Sequence, residues 1–81
     1  MLLDRSRLFN QLHLTLEDIN DRSSQCDSMQ DLVTLNSIRI DVQNAIFVLE
    51  ATADIGDDIE ILTRTRRIIN ETTSAINKFK L

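Results

Sequence analysis

Apolar residues return along the first part of the chain at helical intervals. Leu8, Phe9, Leu12, Leu16 and Ile19 follow one another at steps of one, three, four and three, which places them on one face of an α-helix. Asp4 is positioned to cap it, and the helix is expected over about residues 4–23. The polar stretch Arg22-Ser23-Ser24-Gln25-Cys26-Asp27-Ser28 then interrupts the pattern. It is the best loop in the chain. Asp27 or Ser28 can cap the next helix, with Gln30 or Asp31 three residues on.

The second run, expected over about 28–54, carries two apolar stripes. Leu32, Leu35, Ile38, Val42, Ile46 and Leu49 form one, and Val33, Ile40 and Phe47 repeat at sevens beside it. The third run, about 57–80, has the same doubled character. Ile55, Leu62, Ile69 and Ile76 recur at sevens, Ile61, Ile68 and Ala75 lie alongside, and Ile59, Thr65, Thr72 and Phe79 fill between. A helix with two apolar seams touches two neighbours rather than one.

Three segments alternate as strands do: Leu12 to Leu16, Ile38 to Val42, and Asp58 to Ile61. Each sits inside a longer run with helical spacing. The chain has no Pro and a single Gly, so the tight turns of an all-β fold have almost no residues to make them. The expected fold is all-α, an antiparallel three-helix bundle with a break at Gly56, where Asp57 and Glu60 make a capping box. If the helix instead passes through Gly56, two long helices form an open hairpin that must oligomerise. Eighty-one residues make one domain.

The net charge is −4, and its distribution follows helix surfaces. Residues 1–27 and 28–55 carry −2 and −3, while residues 56–81 carry +1, with acids early and Lys78 and Lys80 late, as a helix macrodipole favours. Glu60–Arg64 and Arg67–Glu71 stand four apart, the spacing of helical ion pairs. Arg64, Arg66 and Arg67 form the one basic patch that could meet phosphates. The acidic total, the lack of Tyr and Trp for base stacking and the absence of a reader motif argue against nucleic acid.

Chemistry is sparse. Cys26 is alone and reads as a reduced thiol, consistent with a cytoplasmic setting; His13 is too distant in sequence to join it in a zinc site. Asp54, Asp57, Asp58 and Glu60 invite calcium, but with Asp54 as the first ligand Gly56 falls third instead of sixth. No phosphate loop, nucleophile elbow or zinc-protease motif occurs, and His13 with Glu17 one turn on lacks a pocket. The expectations are therefore no enzyme, no cofactor and no metal. No signal peptide is expected from Met1-Leu2-Leu3-Asp4-Arg5, and no bilayer span of ~20 apolar residues is expected either.

What remains is an excess of apolar perimeter on the second and third helices. Ile40, Ile46, Phe47, Val48 and Leu49 cover nearly every direction of one helix, more than an 81-residue bundle can bury alone. This points to a helical protein-protein interaction or assembly module, chaperone-, adaptor- or inhibitor-like, partnered by another protein or by itself. Val33, Ile40, Phe47, Ile61 and Ile68 are the expected interface. The alternatives are a regulator docking on nucleic acid or its machinery through Arg64, Arg66 and Arg67, and a structural subunit of a helical assembly. No motif ties the chain to a family.

Overall fold

In the computed structural model, which describes residues 4–55 and 58–78, three α-helices pack on one another: α1 (Arg5–Gln25), α2 (Met29–Ala51) and α3 (Ile59–Ile76). Each starts on an oxygen-bearing side chain that accepts from the exposed amides of the first turn. The Asp4 carboxylate accepts from the Ser6 amide at 3.0 Å. Ser28, rather than Asp27, caps α2 and accepts from the Asp31 amide at 3.3 Å. For α3 the cap is Asp58, which accepts from the amides of Glu60 and Ile61 at 2.9 and 3.3 Å. The capping box expected of Asp57, and the break expected at Gly56, fall on residues outside those described.

The long hairpin does not form. The chain leaves the α-helix at Thr52 and makes a short 3-10 turn over Ala53–Ile55 before α3 begins. Thr52 already turns back on the helix it ends, its amide donating to the Val48 carbonyl at 3.0 Å and its hydroxyl to the same oxygen at 2.7 Å. The Asp58 carboxylate is the cap of α3, accepting from two of its first amides. Replacing Asp58 with Ala is expected to remove about 1 kcal/mol of stability, lowering the thermal midpoint by about 4–8 °C. Asp58→Asn should restore most of it, and an unchanged midpoint for the Ala variant would show the cap to be dispensable.

The helices run up, down and up. Arg5, at the start of α1, reaches the end of α2, where its Nη1 donates to the Leu49 carbonyl at 2.6 Å and its Nη2 to the Thr52 carbonyl at 3.2 Å. Arg22, near the end of α1, donates to the Ile76 carbonyl at the end of α3 at 3.2 Å. α1 is thus antiparallel to α2 and parallel to α3. Of the late lysines, Lys78 lies just beyond the end of α3 at Ile76 and Lys80 lies outside the described residues, and the last turn itself has no basic residue. Arg22 of α1 brings a cation to this end.

The core takes one stripe from each helix: Leu8, Leu12 and Ile19; Leu35, Val42, Ala45, Ile46 and Leu49; Leu62, Ile69 and Ile76. On α3 the heptad residues alternate with buried Thr65 and Thr72. The Thr65 hydroxyl donates to the Ile61 carbonyl one turn back at 2.9 Å, so it enters the core already satisfied. Phe9, Leu16, Cys26, Ile38, Ile61 and Ile68 pack around this cluster.

Candidate interaction surface

The two stripes of α2 part company. Leu35, Val42 and Leu49 are buried, while Val33, Ile40 and Phe47 face outward and remain 64%, 51% and 68% exposed. Successive residues of an α-helix are about 100° apart. Met29, Val33, Asn36, Ser37, Ile40, Gln43, Asn44, Phe47 and Ala51 therefore lie within about 60° of Ile40. All of them are exposed and none is charged. The charges of α2 (Asp31, Arg39, Asp41 and Glu50) lie outside this arc. The exposed faces of α1 and α3 are quite different. They carry Arg7, Glu17, Asp18 and Asp21 on α1, and Glu60, Arg64, Arg66, Arg67 and Glu71 on α3.

The two flanks of the arc differ. Arg39 lies along one flank and binds α2 to α1, donating to Asn20 Oδ1 at 3.0 Å and Ser23 Oγ at 2.9 Å. Its third bond, to Asn36 Oδ1 at 2.7 Å, fixes an amide inside the arc. Along the other flank an open groove separates α2 from α3, lined by Ile38, Asp41, Asn44, Ile68, Glu71, Thr72 and Ala75.

The five expected interface residues are thus divided. Val33, Ile40 and Phe47 form one exposed line, whereas Ile61 and Ile68 are half-buried against the core, with Ile68 in the floor of the groove. Sequence reasoning passed over Met29, 75% exposed at the start of the same line, and the uncharged Asn36, Ser37, Gln43 and Asn44 between the apolar positions. Their common property is absence of charge along one arc, visible only once the buried side of the helix is known. Leu14, Ile55 and Ile59 are exposed apolar residues elsewhere.

The other candidate groups are less organised. Arg64 is exposed and paired to Glu60 at 3.0 Å, and Arg66 and Arg67 line a shallow surface with Thr63, Asn70 and Glu71. His13 lies edge-on to Phe9, ring centroids 4.6 Å apart, on the exposed side of α1. Among the described residues no group of three or more His, Cys, Asp and Glu side chains is placed to hold a metal ion.

By length and composition α2 is apolar enough to cross a bilayer, with a mean hydropathy of 1.2, which corrects the expectation that no segment comes near a bilayer span. The difference lies in the polar but uncharged residues among the apolar ones. In this structure the helix lays Leu35, Val42, Ala45, Ile46 and Leu49 into the bundle core, the arrangement of a helix that packs on other helices. No family model, curated protein or solved structure matches the chain.

Proposed function

We propose that this chain is a non-enzymatic helical interaction module, chaperone-, adaptor- or inhibitor-like, that works by burying the outer face of α2 against itself or a partner protein in the cytoplasm. One observation carries the reading: α2 exposes an arc along its whole length without a charge, while α1 and α3 surround it with charged outer faces. Soluble domains cover helices with charge on the side that meets water, and exposed large apolar residues grouped on one face, here Met29, Val33, Ile40 and Phe47, mark an interface. Burying a side chain of the size of Val33, Ile40, Phe47 or Met29 is worth about 1.5–3 kcal/mol when complete. Four such residues give at most about 6–12 kcal/mol, and less because each is already partly buried. This is of the same order as the roughly 4–15 kcal/mol that association costs, so the contact is weak or is completed by a partner with a deeper groove. The arginine alternative is less supported, because Arg64 is held by Glu60 and Arg66 and Arg67 share their surface with Glu71.

The test is photo-crosslinking in extracts of the native host, with benzoylphenylalanine in place of Phe47 or, as a control, of Glu17 on the charged face of α1. Position 47 is expected to give one discrete adduct, abolished by Ile40→Asp in the same chain, and position 17 none. Equal labelling from both positions, or none from position 47, would refute the interaction reading.

A further inference from the structure

We propose that the partner on this face is a second copy of the chain, with the two α2 helices antiparallel about a two-fold axis through Ile40. The inference rests on the interaction reading and names its occupant. A two-fold contact requires one surface to complement itself, and the arc of α2 does so in one register. With Ile40 against Ile40 of the second copy, Val33 meets Phe47, Met29 meets Ala51, and Asn36 meets Asn44. Apolar layers fall on apolar layers and the amide layer on an amide.

The layers also match in size. Each larger side chain, Phe47 or Met29, faces a smaller one, Val33 or Ala51, so the helix axes stay at a constant separation of about 8–10 Å. A parallel pair would set Phe47 on Phe47 and Val33 on Val33, wedging the helices apart at one end. It would also align the two macrodipoles, which the antiparallel pair opposes.

The Asn layer sets the register. Arg39 engages Asn36 Oδ1 at 2.7 Å, which leaves the amide nitrogen of Asn36 to donate to the side-chain carbonyl of Asn44 in the second copy. Ser37 meets Gln43 in the same register, so polar layers also fall on polar layers, and polar pairs among apolar layers are a known device for fixing helix register. Arg39 and Asp41, one residue to either side of Ile40, point about 100° away from it around the helix and stay outside the contact.

The size of the strip bounds the strength of the dimer. A 23-residue helix is about 35 Å long and, at a width of about 10 Å, presents about 350 Å² per chain. This is under half of the ~800 Å² per partner of a standard stable interface. The dimer therefore dissociates on dilution.

The experiment uses the purified full chain with Cys26→Ser. Sedimentation should give twice the 9.3 kDa chain mass at high concentration, falling to the single-chain mass on dilution. Ile40→Asp should hold the chain at the single mass with unchanged helicity; Phe47→Asp serves as a second variant should the first fold poorly. For register, chains carrying Val33→Cys and Phe47→Cys are mixed and mildly oxidised. The disulfide between the two different chains should exceed either same-chain product several-fold. A single-chain mass at about millimolar concentration would overturn the second copy as partner, leaving the extract adduct at position 47 to decide the interaction reading separately. A dominant Val33→Cys homodimer would overturn the antiparallel register.

Discussion

Leu12→Ala is expected to destabilise the chain by about 3–4 kcal/mol, within the usual cost of removing a fully buried leucine. Leu12 is 0% exposed at the centre of α1 and belongs to the core cluster with Leu8, Leu35, Leu49 and Leu62. Truncation removes the transfer free energy of its methyl and methylene groups and leaves a cavity that three packed helices close only in part. At about 0.05–0.15 kcal/mol per residue, a domain of this size has about 4–12 kcal/mol in total. One side chain therefore decides about a quarter or more of its stability. The control lies two residues along the same helix. Leu14, 64% exposed, has the same chemistry but no core to leave, and Leu14→Ala should change stability by less than about 0.5 kcal/mol. Urea unfolding followed by circular dichroism gives both values. Similar losses at the two positions would show that α1 is rotated from the orientation described.

Arg5→Met should cost about 2–3 kcal/mol. It keeps most of the aliphatic stem and removes the guanidinium, whose hydrogen bonds are charge-assisted and so stronger than neutral ones. Arg5 donates to the Leu49 and Thr52 carbonyls and to Thr52 Oγ1 at 3.3 Å. These groups sit at the C-terminus of α2, where the last carbonyls have no helical partner and the macrodipole is negative. α2 has no basic residue in its own last turn, so the substitution removes the guanidinium that serves this end from α1. Arg5→Lys keeps the charge but loses the planar fork that reaches two carbonyls at once, and should fall between wild type and Arg5→Met. Loss of less than about 0.5 kcal/mol in the Met variant would show that water replaces the arginine fully.

Both effects trace to how α1 is built. Its stripe Leu8, Leu12 and Ile19 forms one wall of the core, and its arginines near either end reach α2 and α3. Arg22 combines a bond to the Ile76 carbonyl with an ion pair to Asp18 one turn back at 3.1 Å. The bundle is thus fastened at opposite ends by one helix, while α2 is left with its outer side uncovered.

Much of this was legible in the chain. The helical class follows from apolar spacing and from the near absence of Gly and Pro. The first two helices begin at residues readable as caps, Asp4 and Ser28, because a short side-chain oxygen beside an apolar run has a local role that needs no tertiary contact. α3 begins on Asp58, while the capping box expected of Asp57 lies outside the described residues; adjacent aspartates offer the same chemistry, so the sequence pattern does not choose between them. The end of α2 was placed too late, at 54. Leaving the helix at Thr52 depends on bonds from Thr52 back to Val48 and from Arg5 across the bundle, and the second of these spans most of the sequence.

The sequence by itself determined that there would be helices, roughly where they lie, and that α2 would have more apolar perimeter than one neighbour can cover. The longer stripe through Leu35, Val42 and Leu49 also indicates the inward side of α2 and leaves Val33, Ile40 and Phe47 for an interface. Periodicity does not tell that Ile61 and Ile68, assigned to the same interface, belong against the core. The tertiary structure fills the space between α1 and α3 with the first stripe, Ala45 and Ile46 beside it, and draws Ile61 and Ile68 onto the same cluster. It also turned Arg5 and Arg22, two ordinary surface charges in the sequence, into the caps of helices far along the chain. Helix formation is decided by neighbours within a few residues, whereas burial and long-range capping depend on shapes that exist only after the helices meet.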